Sequence, residues 1–117
     1  MPELPDIKPT NDGQDIRLIE AARNGETNLV RRLIANGLCI DASDANGVTA
    51  LIIASMGGHA DVVGELVLSG ANLVLETSDG WNAYQAAMFY GDFRGMTKEP
   101  YDQIMSIIEA GGYETNQ

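Results

Sequence analysis

The sequence predicts an all-α solenoid of about three helix-turn-helix repeats joined by β-hairpin-like loops. Three observations predict it: small residues that recur at one fixed step, an apolar helical face inside each recurrence, and a glycine closing each apolar stretch. Gly25, Gly58 and Gly91 stand 33 residues apart, as do Ala21, Ala54 and Ala87, and Gly37 to Gly70 and Gly47 to Gly80 repeat the step. A period of this size marks a chain whose units cannot bury an apolar face alone and must stack.

Aligned at that step without a gap, "LIEAARNGETNLVRRLIANG" lies over "LIIASMGGHADVVGELVLSG". Leu29, Val30, Leu33 and Ile34 match Val62, Val63, Leu66 and Val67. The i, i+1, i+4, i+5 spacing makes one apolar helical stripe. Each unit therefore reads as a short helix ending near Gly25 or Gly58, a tight turn, a second helix stopped by Gly37 or Gly70, and an extended arm. Glycine past a helix end supplies the left-handed cap, and the same is expected of Gly91 and Gly111.

The units run over about 15–43, 44–76 and 77–117. In the third, "DQIMSIIEAGG" arrives eight residues late, because Gly70 to Gly111 spans 41 positions. An insertion near 92–101 carries the extra length, and Pro100 marks the start of the final helix. Residues 1–14, with Pro2, Pro5 and Pro9 among charges, read as an extended or disordered lead.

The stretch "DANGVTALIIASMGGHADVVGELVLSGANL" resembles the ankyrin repeat, whose pattern runs D-x-x-G-x-T-P-L-H-x-A-A, then G-H and G-A. Asp44, Gly47, Thr49, Leu51, Ala54, Gly58, His59, Val62, Val63, Leu66, Gly70 and Ala71 fit it, and the likeness covers roughly Asn11 to Gly112. Ala50 and Ile52 depart from the family's Pro and His, and the third unit has Asn82, Ala83, Tyr84 and Gln85 there. The Thr–His network between repeats is expected to be absent. The first unit lacks an Asp-x-x-Gly tip.

Composition bounds the function. The chain is 44% hydrophobic and 21% charged over 117 residues, enough for one folded unit. A formal charge of −10 repels phosphate backbones and anionic lipid and favours a basic protein partner. Neither nucleic acid nor membrane is expected as a ligand, since no apolar run has the length of a span. The lone Cys39 fits a reducing, cytoplasmic setting and is expected as a half-buried small hydrophobe.

One His, one Cys, no Gly-rich phosphate loop and no paired ligands at metal spacing argue against an enzyme, a cofactor or a metal. His59 is expected to bond neighbouring backbone at the turn into its helix. Asn28, Asp61 and Asp102 share one repeat position and are expected to cap second helices.

The resemblance implies a partner-binding face made of hairpin tips and the outward edge of each first helix. Position by position it selects Arg23, Asn24, Asn46, Val48, Met56, Glu76, Asp79, Trp81, Phe89 and Tyr90, with Ser43, Ala45, Gly57 and Ser78 between them. Trp81, Phe89 and Tyr90 should lie close together. They form either a private mini-core under the insertion or an exposed anchor for a partner with apolar and basic groups. The expected function is a non-catalytic protein-binding adaptor, monomeric alone. The alternatives are a small acidic inhibitor of a basic enzyme and a subunit that self-associates through the rings.

Overall fold

A computed structural model of the chain describes residues 16–93 and 100–113. The 1–14 lead and most of the insertion near 92–101 lie outside the described residues. Six helices follow in order: α1 (Arg17–Arg23), α2 (Thr27–Ala35), α3 (Ala50–Gly57), α4 (Ala60–Leu68), α5 (Ala83–Phe93) and α6 (Tyr101–Ala110). Each pair is one helix-turn-helix unit. The first helices pack in the row α1–α3–α5 and the second helices in the row α2–α4–α6.

The apolar stripes account for the two rows. Leu18, Ala21 and Ala22 of α1, Val62, Val63 and Leu66 of α4, and Ile104 and Ile108 of α6 fall in one buried cluster. Helix α3 is covered from both sides and is apolar nearly all round, with Ala50, Leu51, Ile52 and Ala54 almost fully buried. Its buried Ser55 hydroxyl donates to the Leu51 carbonyl at 2.8 Å, so no polar group is left unmet there. Gln103, at the position of the apolar Leu29 and Val62, is exposed.

Two short contacts set the spacing between units. The His59 ring sits where a side chain on Gly25 or Gly57 would be, its atoms 2.8 Å from the Cβ either residue would carry. Its Nε2 bonds the Arg23 carbonyl at 3.0 Å, as expected. One unit further on, Pro100 occupies the place of His59, and the neighbouring Tyr101 takes over the bond. Its hydroxyl donates to the carbonyl of Met56, the repeat equivalent of Arg23, at 3.1 Å.

The departures from the family pattern have local replacements. The Thr49 hydroxyl accepts the Ile52 N–H at 3.2 Å and so still caps α3. At the start of α5, Asn82 Oδ1 accepts the Gln85 N–H at 2.9 Å while Gln85 Oε1 accepts the Asn82 N–H at 3.1 Å. This reciprocal capping box satisfies two otherwise orphaned amides. Between successive units the His59 and Tyr101 bonds supply the link.

Four expectations are corrected. Gly91 lies inside α5, which continues to Phe93; a Cβ there would come 3.0 Å from Tyr101 Cβ, so this glycine admits a close neighbour instead of ending a helix. Gly111 is right-handed at φ −77°, and the left-handed turn falls one residue later, at Gly112. Cys39 is exposed, because the arm beyond Gly37 turns Leu38 inward and its neighbour outward. The residues preceding α2, α4 and α6 make no side-chain cap bond, and Asn28 Oδ1 instead accepts from Arg31 at 3.2 Å. Asp61 and Asp102 in the first turns still complement the helix dipoles.

At the C-terminal end of the stack, Tyr84 and Tyr113 stack at 4.8 Å, and the Tyr84 hydroxyl donates to Glu109 at 3.2 Å. Burial, and next the bond to Glu109, raise the Tyr84 pKa above its ordinary 10.0. A raised folded pKa means the stabilisation is full below pH about 10 and is lost as pH climbs through the folded value. Stability should therefore fall more steeply above pH about 10 in the wild type than in Tyr84→Phe. Urea midpoints measured along an alkaline series check this, and parallel curves would refute it. The Arg31–Glu65 pair at 2.7 Å bridges α2 and α4; Glu65 is half-buried, but Arg31 is mostly in solvent, so the pair adds little.

Candidate protein-docking groove

Two neighbouring hairpins and two first helices build the site. In the tip before α3, Asp44 Oδ1 accepts the N–H groups of Asn46 at 2.8 Å and Val48 at 3.0 Å, and Ser43 pairs with Thr49 as an antiparallel bridge. In the tip before α5, Thr77 occupies the place of Asp44. Its hydroxyl accepts the Trp81 N–H at 3.2 Å, and its own N–H donates to the Trp81 carbonyl at 2.9 Å. The tips are tied by a bond from Ser78 N–H to the Asn46 carbonyl at 2.9 Å.

Gly47 makes that approach possible. It holds φ +79°, and a Cβ there would stand 3.1–3.2 Å from backbone atoms of Glu76, Thr77 and Ser78. Such a left-handed, crowded position suits glycine alone.

Behind the tips, α3 and α5 enclose a groove of about 600 Å³. Asn46, Val48, Met56, Asp79, Trp81, Phe89 and Tyr90 line it, so seven of the ten residues selected from sequence come together. Trp81 meets Phe89 edge-on at 5.2 Å between centroids, and Phe89 meets Tyr90 at 5.4 Å. Trp81 is 41% and Phe89 43% exposed. Arg23, Asn24 and Glu76 do not line the groove. Arg23 and Asn24 sit at the end of α1, one unit away, with the Asn24 amide on Glu26. Glu76 is exposed on the arm leading into the tip.

Ile52, Thr77 and Ala86 also line the groove and were missed. Ile52 stands where the family pattern has His, so the apolar floor was visible as a departure without being read as part of the site. A smaller cavity of about 300 Å³ lies at the helix turns, between Gly25, Gly58, His59 and Pro100. Among the described residues no three His, Cys, Asp or Glu side chains converge as a metal site. No helix among them is long and apolar enough to cross a membrane.

Stacked helix pairs with tied hairpin tips beside a rigid groove define a repeat scaffold of the kind that presents a binding face. The family model for ankyrin repeats in three copies matches residues 7–97, and the chain belongs to the ankyrin-repeat family. Ankyrin repeats generally mediate protein–protein interaction, and such domains are typically non-catalytic. The chain is similar to ankyrin repeat domain-containing protein 29 of Homo sapiens, 42% identical over 57 residues, which covers 48% of this chain and 19% of that protein. It is 31% identical over 83 residues to the inactive serine/threonine-protein kinase TEX14 of Mus musculus, covering 71% of this chain and 6% of that protein. It is 34% identical over 110 residues to ankyrin repeat domain-containing protein SAT10 of Stachybotrys chartarum, covering 90% of this chain and 5% of that one. The chain therefore spans a small part of each of these relatives.

Proposed function

We propose that the chain is a non-catalytic adaptor that docks a partner protein in the groove between the hairpin tips and helices α3 and α5. The observation that carries this reading is a groove of about 600 Å³ walled by Trp81 and Phe89, each more than 40% exposed. Large rings in solvent are unfavourable unless a partner covers them, and Trp and Tyr dominate binding hot spots. The tied hairpins hold the rings in place before binding, which lowers the ordering cost. The protein works as a monomer in a reducing, cytoplasmic setting, consistent with the exposed thiol of Cys39.

Affinity capture from native lysate with the wild type and a Trp81→Ala/Tyr90→Ala variant, beside light scattering of both, tests the reading. The variant is expected to lose at least about tenfold in affinity for the captured protein while remaining folded and monomeric. An undiminished partner would remove the groove from the function. A wild-type dimer that dissociates on mutation would assign the rings to self-association instead. Capture of one basic enzyme, inhibited on binding, would make the chain an inhibitor.

A further inference from the structure

Charge is distributed unevenly along the stack. Residues 33–93, which contain every residue lining the groove, include Asp41, Asp44, Asp61, Glu65, Glu76, Asp79 and Asp92 and no Lys or Arg. Of the seven Lys and Arg, Arg17, Arg23, Arg31 and Arg32 belong to the first unit, Lys8 precedes it, and Arg94 and Lys98 fall in the insertion of the third; Arg31 is held by Glu65. Of the acids on the two tied hairpins, Asp79 lines the groove; Asp44, whose Oδ1 holds the Asn46 and Val48 amides, and the exposed Glu76 lie on the same hairpins outside the lining. The apolar walls of Trp81 and Met56 thus open beside two hairpins whose charged side chains, Asp44, Glu76 and Asp79, are all acidic.

We propose that the occupant of the groove is a basic linear segment of a partner protein, its large apolar side chain against Trp81 and its flanking Lys or Arg against Asp79 and the neighbouring Glu76. The inference rests on the groove being the docking site and adds the chemistry of what docks. An apolar anchor alone would leave the rim carboxylates facing any partner surface. A flanking cation turns them into an attraction that speeds encounter and rejects acidic competitors. A second copy of this chain is disfavoured, because pairing through the groove would bring two acidic rims and two charges of −10 together. A phosphate backbone meets the same repulsion.

Trp81 is the single tryptophan of the chain, so its emission reports on the groove directly. The full chain is titrated with a nine-residue peptide that has a central phenylalanine and a lysine two residues to either side. Lysine on both sides presents a cation to the hairpins in either chain direction. A second peptide carries glutamate in place of both lysines. The lysine peptide is expected to bind at least about tenfold tighter, and to lose most of that advantage between about 50 and 300 mM salt. Asp79→Asn with Glu76→Gln, both at exposed positions, should cut the advantage severalfold with the urea midpoint unchanged. Equal affinities, a salt-independent preference, or no shift with either peptide would overturn the proposal. If the captured partner is lost on Trp81→Ala/Tyr90→Ala yet is displaced equally by both peptides, the charge inference fails and the groove reading stands. A partner that ignores the double variant ends the groove reading itself.

Discussion

Leu66→Ala is expected to lower the free energy of unfolding by about 2–5 kcal/mol. Leu66 is fully buried in α4, the middle second helix, which packs on α2 and on α6. Deleting its three outer carbons opens a void in the buried cluster, and a helix held between two others cannot readily collapse into it. Repeat stability depends on interfaces between neighbours, so damage in the middle unit weakens both junctions of a three-unit stack. A loss of that size is a large share of the total for a small domain, about 5–15 kcal/mol. Leu68→Ala on the same helix provides the control: at 86% exposure it should change stability by no more than about 0.5 kcal/mol. Urea denaturation followed by circular dichroism compares the two, and similar losses for both would contradict the packing described here.

Gly47→Ala should destabilise by about 2–4 kcal/mol, with two separable causes. Its φ of +79° costs an L side chain about 1–2 kcal/mol in the left-handed region. The new methyl would also meet the Ser78 amide nitrogen and Thr77 Cα at 3.1 Å and the Glu76 carbonyl at 3.2 Å, all of them backbone. A flexible side chain could swing aside; these atoms can move only if the tips part, at the expense of the Ser78–Asn46 bond. Gly80→Ala isolates the first cause, since Gly80 holds φ +87° with nothing within 4 Å of its Cβ. It should lose about 1–2 kcal/mol. A difference between the two measures the contact between hairpins. Equal losses would mean that the tips are not tied.

The aromatic site was partly legible in advance. Trp81 directly follows the Asp79–Gly80 tip, and Phe89 lies eight residues further along the same unit, about two helical turns on. Repeat register alone was enough to bring them together, and their centroids are 5.2 Å apart. Arg23, Asn24 and Glu76 were drawn in by the same register argument and lie off the groove, because equivalent positions in successive units form a stripe longer than any one concavity. Ile52 and Ala86 were missed for the converse reason. A buried floor residue looks like core until the helix beside it is placed.

The repeat, the six helices and the glycine turns at 25, 37, 58 and 70 were legible from local residues, because helical periodicity and left-handed backbone are properties that a few neighbouring residues dictate. The other features depend on how the units stack. Gly91 remains helical where its repeat equivalents end their helices, since Tyr101 packs against it. Tyr101 replaces His59 as the bond between units because Pro100 shifts that role by one residue. Hairpin contact at Gly47 places Trp81 on the wall of a groove and not merely near a turn. Each of these depends on atoms brought together from different repeats, and such distances are set by how the units stack.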